Sequence, residues 1–209
     1  MSKVADLFDD WAKRGRAEGM ERGHGQTAAG TLESIEISPG MQVLDLGMGN
    51  GWASRLAASK GAEAVGIDLS QEMVDRANGL AEGMSATYVQ GDFADLPFED
   101  NRFDLVWSME ALYYAPDVRA VLAEVHRVAK PGAQLHILID FYGENKESHS
   151  WPEDVGVPMS LMSSEEWLAM LADIGFEARS ERLLSTDPEA DEWKKTEGTL
   201  HLFALKTLK

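Results

Sequence analysis

Glycines and aspartates cluster in the first third of the chain with a spacing that can build a ligand pocket. The segment VLDLGMGNG (43–51) runs from an apolar stretch through Asp45 into a turn. The glycines of that turn are Gly47, Gly49 and Gly51. Glycine lets a ligand approach the backbone closely, and the N–H groups of a following helix can receive an anionic group, here a carboxylate. Asp68 ends a second apolar run, where a carboxylate can accept both hydroxyls of a ribose.

A third acid follows in QGDFADLPF (90–98). Asp92 comes after the third apolar run, where its carboxylate can accept a hydrogen bond from the exocyclic amine of an adenine, with Phe93 and Leu96 beside the ring. Each acid alone could be a turn former, and a glycine turn alone could bind nothing. The G-x-G-x-G spacing also differs from the G-x-G-x-x-G of dinucleotide enzymes. Three acids after three successive strands nevertheless favour a nucleotide-type pocket over coincidence.

Strands and helices must alternate along the chain to place these residues together. Apolar runs predict strands over 41–46, 64–68, 86–90, 103–108, 134–139, 176–183 and 199–205. Caps and apolar periodicity predict helices over 52–59, 70–77 and 117–129 and from Ser163 to Gly175. This alternation is typical of an α/β fold with a doubly wound sheet. The connection from Thr186 to Gly198, rich in acids, is predicted to be a solvated excursion.

The first 38 residues are predicted to be a helical lead-in to a core over 39–209, within a single domain over 1–209. Phe8 and Trp11 share a helical face, and glycines then follow at positions 15, 19, 23 and 25. We hypothesise that the first 25 or so residues fold over the ligand as a lid with glycine hinges, and that Arg14 or Arg16 pairs with a ligand carboxylate. The alternative is that the two aromatic residues only pack a helix on the sheet.

Composition excludes several classes of function. The 209 residues carry a net charge of −17, which disfavours a broad nucleic-acid interface. A small-molecule or cationic substrate is the functional interpretation of this charge, and a solvated acidic surface is the more ordinary one. The chain has no cysteine, which removes disulfides, cysteine–zinc sites and thiol nucleophiles. We expect no metal site, because the histidines lack a paired spacing with acids. No apolar run approaches the roughly 20 residues of a membrane span, and the acidic start is unlike a signal peptide, so a cytoplasmic location is expected.

Five segments together resemble one enzyme family. They are VLDLGMGNG, GIDLS, GDFADLPF, FDLVWSMEALYYAPD and EVHRVAKPGAQLHI, and they fall within residues 41–139. The chain resembles the class I S-adenosylmethionine-dependent methyltransferases, in particular the type 11 group. The resemblance implies a Rossmann-like sheet of seven mostly parallel strands with the last antiparallel, and S-adenosylmethionine (SAM) as cofactor. Met48 departs from the cysteine common in the family, and we expect no effect because the backbone carries that contact.

Cofactor roles follow from the resemblance, position by position. Asp45 would order the turn, Asp68 would take the ribose, and Asp92 with Phe93 would bind the adenine. The residues around Met109 would close the wall beneath the sulfonium. The full cofactor-binding set is Asp45, Gly47, Met48, Gly49, Gly51, Asp68, Leu69, Met73, Asp92, Phe93, Ser108, Met109, Glu110 and, from the lid, Trp11.

Residues that would act on the methyl acceptor are harder to assign. Methyl transfer from a sulfonium mainly requires that the enzyme position the acceptor, and it requires a base only if the acceptor must lose a proton. The catalytic candidates are Asp140, Tyr114 and His24. The candidate acceptor contacts are Tyr113, Tyr142, His149 and Trp151. Each candidate also has a structural explanation: the histidines could be ordinary loop residues, the aspartate could cap a turn, and the aromatic residues could be ordinary pocket lining.

The first interpretation is therefore methyl transfer to the oxygen, nitrogen or sulfur of a small molecule. Three alternatives stay open: methylation of a tRNA or protein, a module that binds SAM without catalysis, and a nicotinamide oxidoreductase, against which the glycine spacing and Asp92 speak. Both a monomer and a homodimer are compatible with the sequence.

Overall fold

Seven strands form one sheet in the computed structural model, which describes residues 3–16 and 27–208. The strands are β1 Gln42–Leu46, β2 Glu63–Asp68, β3 Ala86–Gln90, β4 Phe103–Met109, β5 Ala129–Ile139, β6 Phe176–Leu183 and β7 Thr199–Lys206. Their order is β3-β2-β1-β4-β5-β7-β6, and β7 runs antiparallel to both neighbours while the others are parallel. The predicted sheet is confirmed, including its antiparallel last strand.

Helices cover both faces of this sheet. They are α1 Lys3–Lys13, α2 over residues 27–34, α3 Trp52–Ser59, α4 Gln71–Leu80, α5 Val118–Val128, α6 Trp151–Val155, α7 Ser164–Ile174 and α8 Glu192–Thr196. The predicted caps form: the Ser70 side chain accepts the N–H of Met73, and Ser163 and Glu166 make a reciprocal capping box. Such caps satisfy N–H groups that a first helical turn leaves without partners, so these helices begin where the sequence indicates.

Two apolar layers hold the sheet between the helices. On one face Phe103 and Leu122 are buried with Trp167 of α7. On the other face Leu32 and Ala57 pack with Trp107 of β4. Because β2, β1 and β4 are neighbours and parallel, their carboxyl ends meet at one edge of the sheet, where ligands bind in open α/β folds.

Two expected boundaries differ in the structure. The helix predicted to Ala129 ends at Val128, and β5 begins directly at Ala129, with Pro131 inside the strand and a shift in register against β4. The predicted solvated excursion is partly ordered, because it contains α8. There the Trp193 ring packs edge-on against Trp151 at 6.2 Å, an apolar contact that acid-rich composition alone does not reveal.

Candidate functional site

A cavity of about 840 Å³ opens at the carboxyl ends of β1, β2 and β4. The predicted residues that line it are Asp45, Gly47, Met48, Gly49, Asp68, Leu69, Met73, Phe93, Met109, Glu110 and Tyr114. The glycine turn, the acid after β2 and the segment after β4 thus come together as the sequence predicts. The mainly apolar wall is typical of a small-molecule site.

A second space lies away from these residues. It is a wide groove of about 1370 Å³, open to solvent, between α2 and the outer surface of β5, β7 and β6. Its wall is largely polar and includes His136 and His201, which hydrogen-bond to each other at 3.0 Å. The enclosed cavity at the strand ends is the better candidate, because it alone contains the glycine turn and the acids after β1 and β2.

Asp45 ties the end of β1 to α3. Its Oδ2 accepts the backbone N–H of Ser54 at 3.1 Å and the Ser54 hydroxyl at 2.7 Å. The carboxyl is almost fully buried, and burial raises its pKa to about 6 against the lowering effect of the two Ser54 bonds. Asp45 therefore orders the glycine turn from behind, while part of its side chain still faces the cavity.

Asp68 connects three segments of the site. Its Oδ2 accepts the N–H of Gly49 at 3.1 Å, and its Oδ1 accepts the N–H of Ser70 at 2.9 Å. Burial raises the pKa of this carboxyl to about 6. The backbone N–H of Leu69 interacts with the same carboxyl, and since a carboxylate has about four lone-pair sites, some acceptor capacity remains after these contacts. This remaining capacity lies on the cavity wall, where it can accept ribose hydroxyls.

The N-terminus of α3 differs from what the sequence suggests. The N–H of Trp52 already has the Asn50 side-chain oxygen as acceptor at 3.2 Å, and the N–H of Ser54 has Asp45. These groups are therefore not reserved for a ligand carboxylate. Of the two arginines proposed to pair with a ligand carboxylate, Arg14 pairs with Asp10 at 2.8 Å and Arg16 lies over the Trp11 ring.

The end of β4 places a carboxylate on the wall. Glu110 has φ 52°, and its two oxygens accept the Tyr113 hydroxyl at 2.8 Å and the N–H of Asp140 at 2.5 Å. Burial, with Glu110 nearby, raises the pKa of Tyr114 well above its ordinary value. Tyr114 therefore keeps its proton at neutral pH and offers a hydroxyl rather than a base.

Helix α1 lies at the mouth of the cavity. Val4 and Phe8 line it, and the Phe8 ring meets the Tyr114 ring edge-on at 5.1 Å. The helix is anchored on α4, where Asp9 accepts the Ser70 hydroxyl at 2.5 Å. Trp11 is not among the lining residues; its ring packs edge-on against Phe8 instead. Helical spacing groups the two aromatics, and only the tertiary packing shows which one faces the cavity.

Three further members of the predicted cofactor set do not line the cavity. Asp92 is exposed, and its Oδ1 accepts the N–H of Ala94 in a tight turn. Ser108 is buried, and its hydroxyl donates to the Leu46 carbonyl. Gly51 has φ 76°, and a side chain there would meet the Tyr88 ring at 2.7 Å, so this glycine is required for packing.

The predicted catalytic and acceptor residues divide in the same way. Tyr114 lines the cavity, whereas Asp140 and Tyr113 lie behind Glu110 and hold it. The Asp140 carboxylate accepts the Thr199 hydroxyl at 2.6 Å. His24 and Gly19, Gly23 and Gly25 of the proposed lid lie outside the described residues.

The segment after β5 is folded against the C-terminal half of the sheet instead of the cavity. The Tyr142 hydroxyl donates to the Gly198 carbonyl at 2.9 Å, and Trp151 stacks on Phe141. His149 lies 3.2 Å from the Gly143 carbonyl through Nε2. None of the three predicted acceptor contacts, Tyr142, His149 and Trp151, lines the cavity.

Sequence reasoning missed several lining residues. They are Val4, Phe8, Asn50, Trp52, Ala53, Trp107 and Ala111. Trp107 lies in an apolar strand and has the pattern of a core residue, so nothing in the sequence distinguishes it from neighbours that do not line the cavity. Asn50 lies inside the glycine turn, and that position was the available signal.

Metal-binding clusters and membrane-spanning helices are both absent from the described residues. Within 3–16 and 27–208, no group of three histidine, aspartate or glutamate side chains is arranged to hold a metal ion. In the same ranges, no helix has the length and apolar character needed to cross a membrane.

The buried Asp68 makes stability depend on pH. Its folded pKa of about 6 exceeds the ordinary value of about 3.9, so between these pH values the native state binds more protons than the unfolded state. Stability must therefore fall as pH rises through this window. Relative to Asp68→Asn, which does not titrate, the wild-type protein is expected to lose up to about 3 kcal/mol between pH 4 and 6.5. Urea unfolding of both proteins across this range measures the difference, and parallel pH curves would contradict it.

Comparison with known proteins identifies the family. Residues 44–137 match the family model described as a methyltransferase domain. An uncharacterized methyltransferase of Synechocystis is 37% identical over 147 residues, covering 69% of this chain and 67% of the relative. A putative methyltransferase of Haloferax volcanii, solved in complex with the Trm112 methyltransferase activator, is 34% identical with a TM-score of 0.88, covering 96% of this chain and 97% of that one.

Other relatives are longer proteins. The sterol 24-C-methyltransferase of Yarrowia lipolytica is 33% identical over 180 residues, covering 76% of this chain and 47% of the relative. The chloroplastic tocopherol O-methyltransferase of Arabidopsis thaliana is 44% identical over 115 residues, covering 53% of this chain and 33% of the relative. The chain thus spans half or less of the length of these two relatives. The glycine turn, the acid after β2 and the matched segments agree: the chain belongs to the class I S-adenosylmethionine-dependent methyltransferases.

Proposed function

We propose that the chain transfers the methyl group of SAM to the oxygen, nitrogen or sulfur of an apolar small molecule. The observation that carries this proposal is the wall on the β4 side of the cavity. Phe8, Trp52, Trp107 and Tyr114 present aromatic surface there beside the Glu110 carboxylate, and the described lining residues include no lysine, arginine or histidine. An apolar acceptor gains most from such a wall, because burial of apolar surface is favourable by roughly 25 cal/mol per Å².

Charge and relationship support the same class of acceptor. The net charge of −17 opposes a polyanionic acceptor such as RNA. The sterol and tocopherol methyltransferases among the relatives are named for apolar acceptors. Helix α1 borders the cavity on one side through Val4 and Phe8.

The chain's own residues would mainly bind, orient and exclude water. SAM supplies an electrophilic methyl group, so the carbon needs no further activation. Asp68 holds one end of the cofactor through its remaining acceptor sites. Phe8 and Tyr114 close the mouth by an edge-on contact and keep water from the reacting atoms. Tyr114 retains its proton and can orient an acceptor by donating a hydrogen bond.

An acceptor screen with release of S-adenosylhomocysteine (SAH) as readout tests the proposal. The panel should contain phenols, quinols and sterols, with matched carboxylated or phosphorylated analogues as controls. We expect turnover of an apolar member and at least about tenfold lower kcat/KM for its anionic analogue, because no described cation lines the wall. Turnover restricted to anionic compounds would overturn the acceptor class. SAM binding without SAH release from any acceptor would favour the non-catalytic module.

A second candidate is methylation of a macromolecule with the help of an activator subunit. The Haloferax relative in complex with Trm112 matches nearly the whole of both chains, unlike the sterol and tocopherol relatives. In this chain β3 is an edge strand, and Leu80 and Met84 just before it expose 49% and 37% of their surface. Exposed apolar side chains beside a free strand edge can support a protein contact.

Co-expression with a Trm112-type protein distinguishes the two candidates. A complex that co-purifies, and that releases SAH only with tRNA or a protein acceptor, would favour the second. Activity of the isolated chain on an apolar small molecule, unchanged by the activator, favours the first.

Removal of the Phe8 ring tests whether α1 acts as a lid. In Phe8→Ala the contact with Tyr114 and part of the cavity wall are lost, and we expect SAM affinity to fall about tenfold because an open mouth admits water. Isothermal titration calorimetry measures the change. Lys13→Ala is the matched control on α1, since Lys13 is exposed and forms only a surface ion pair with Glu72. Equal affinities for wild type and Phe8→Ala would rule out a lid role for this helix.

A further inference from the structure

The backbone of Glu110 is unusual for a residue of its type. Its φ of 52° lies in the left-handed region, where a side chain with a Cβ is disfavoured. Glycine would adopt this conformation freely, so the glutamate is kept at a conformational cost. Such outliers cluster at functional sites, where the surrounding structure fixes them.

The surrounding residues fix the Glu110 carboxylate as well as its backbone. The Tyr113 hydroxyl donates to one oxygen at 2.8 Å, and the N–H of Asp140 donates to the other at 2.5 Å. Burial, reinforced by Glu110, raises the pKa of Tyr113 well above its ordinary value, so this hydroxyl remains a donor. These two donors hold the carboxylate in one orientation. Glu110 thus presents an oriented negative charge at the cavity wall.

The position of Glu110 relative to Asp68 indicates which part of a bound ligand lies near the Glu110 carboxylate. Strands β2, β1 and β4 are adjacent, so Asp68 after β2 and Glu110 after β4 lie on opposite sides of the glycine turn after β1. The turn and the β4 segment touch: a Cβ on Gly47 would lie 2.2 Å from that of Ala111. A ligand with its ribose at Asp68 that extends across the turn therefore brings its amino-acid half toward Glu110.

We propose that Glu110 is the residue by which this chain distinguishes SAM from its product SAH. The two ligands differ by the methyl group and the positive charge of the sulfonium, which lies between the ribose and the amino-acid half. A fixed carboxylate attracts the cation and gives nothing comparable to the neutral thioether. The charge therefore favours binding of the reactant and release of the product. This inference rests on the cofactor and is independent of the acceptor's identity.

Calorimetric titration of wild type and two neutral variants with SAM and with SAH tests the proposal. Glu110→Gln keeps the size of the side chain, and Glu110→Gly suits the left-handed backbone and should fold even if the glutamine variant does not. The measured quantity is the ratio of the SAH dissociation constant to the SAM dissociation constant. Contacts common to both ligands cancel in this ratio. We expect each variant to lower it about tenfold, mainly through weaker SAM binding.

A charge control separates a local effect from the overall field of an acidic protein. Glu99→Gln removes the same charge from an exposed position, and its ratio should equal that of wild type. A Glu110 variant that weakens SAM and SAH equally would overturn the proposal, because the side chain would then act only as part of the wall. Binding of neither ligand to the wild-type protein is a different failure, which would overturn the cofactor assignment itself.

Discussion

Replacement of Asp68 by alanine is expected to weaken SAM binding by about 100-fold or more. The change removes the acceptor for the ribose hydroxyls, and hydrogen bonds to a charged group contribute about 1.5–3 kcal/mol each. It also frees the N–H groups of Gly49 and Ser70, which Asp68 now holds at 3.1 and 2.9 Å. The glycine turn and the start of α4 then lose their common anchor. Calorimetric titration with SAM and SAH measures the loss.

Asp92→Ala is the matched control, because the family resemblance gives both acids a cofactor role while the structure separates them. Asp92 is exposed and lies outside the cavity wall, and its carboxylate accepts the N–H of Ala94. We expect its removal to change affinity by no more than about twofold. A loss as large as that of Asp68→Ala would mean that the Asp92 side chain turns to the adenine on binding and that its placement here is wrong for the loaded protein.

Substitution of Gly47 by alanine adds one methyl group, and we expect it to destabilise the folded protein more than the same change at any other glycine of the turn. The new Cβ would lie 2.2 Å from the Ala111 Cβ and 3.5 Å from the Phe93 ring, at a φ of 71° that disfavours any side chain. The left-handed conformation costs about 1–2 kcal/mol, and the clash adds about 1–3 kcal/mol. A total of about 2–5 kcal/mol corresponds to a lower Tm by roughly 5–15 °C for a domain of this size. Thermal unfolding without ligand measures it.

Gly49→Ala separates the two contributions. Gly49 also has a left-handed φ, 53°, but an added Cβ meets nothing within 4 Å. It should therefore show the conformational cost without the clash, a loss of about 1–2 kcal/mol. Equal destabilisation by the two variants would show that the segment after β4 moves aside at little cost, which would also weaken the case for a fixed Glu110.

The sheet was predictable because its signals are local. Seven apolar runs with the right lengths lie between caps such as Ser70 and Ser163, and the structure confirms them within about one residue apart from β5. The start of β5 was not predictable, since Pro131 suggests a stop and only the pairing with β4 draws Ala129 into the strand. Pairing is a tertiary effect, and no local pattern reports it.

The site was predictable where the backbone alone determines position. The glycine turn and Asp68 follow directly from strands and lie on the cavity wall. Side chains whose direction depends on loops were not predictable: Asp92 turns outward, and Tyr142 and Trp151 pack toward the C-terminal strands. The choice between Phe8 and Trp11 depended on the docking of α1, which helical periodicity does not specify.

The two buried carboxyls at the ends of β1 and β2 make the protein's persistence depend on its ligand. Burial disfavours the ionised forms of Asp45 and Asp68 at neutral pH, so these two carboxylates destabilise the folded protein when no ligand is bound. A cationic ligand that also donates hydroxyl hydrogens to Asp68 offsets this destabilisation, and a ligand that binds only the native state stabilises it by about 2.7 kcal/mol at 100 times its dissociation constant. A larger native fraction leaves less unfolded chain open to proteases, so SAM would also protect the protein from proteolysis.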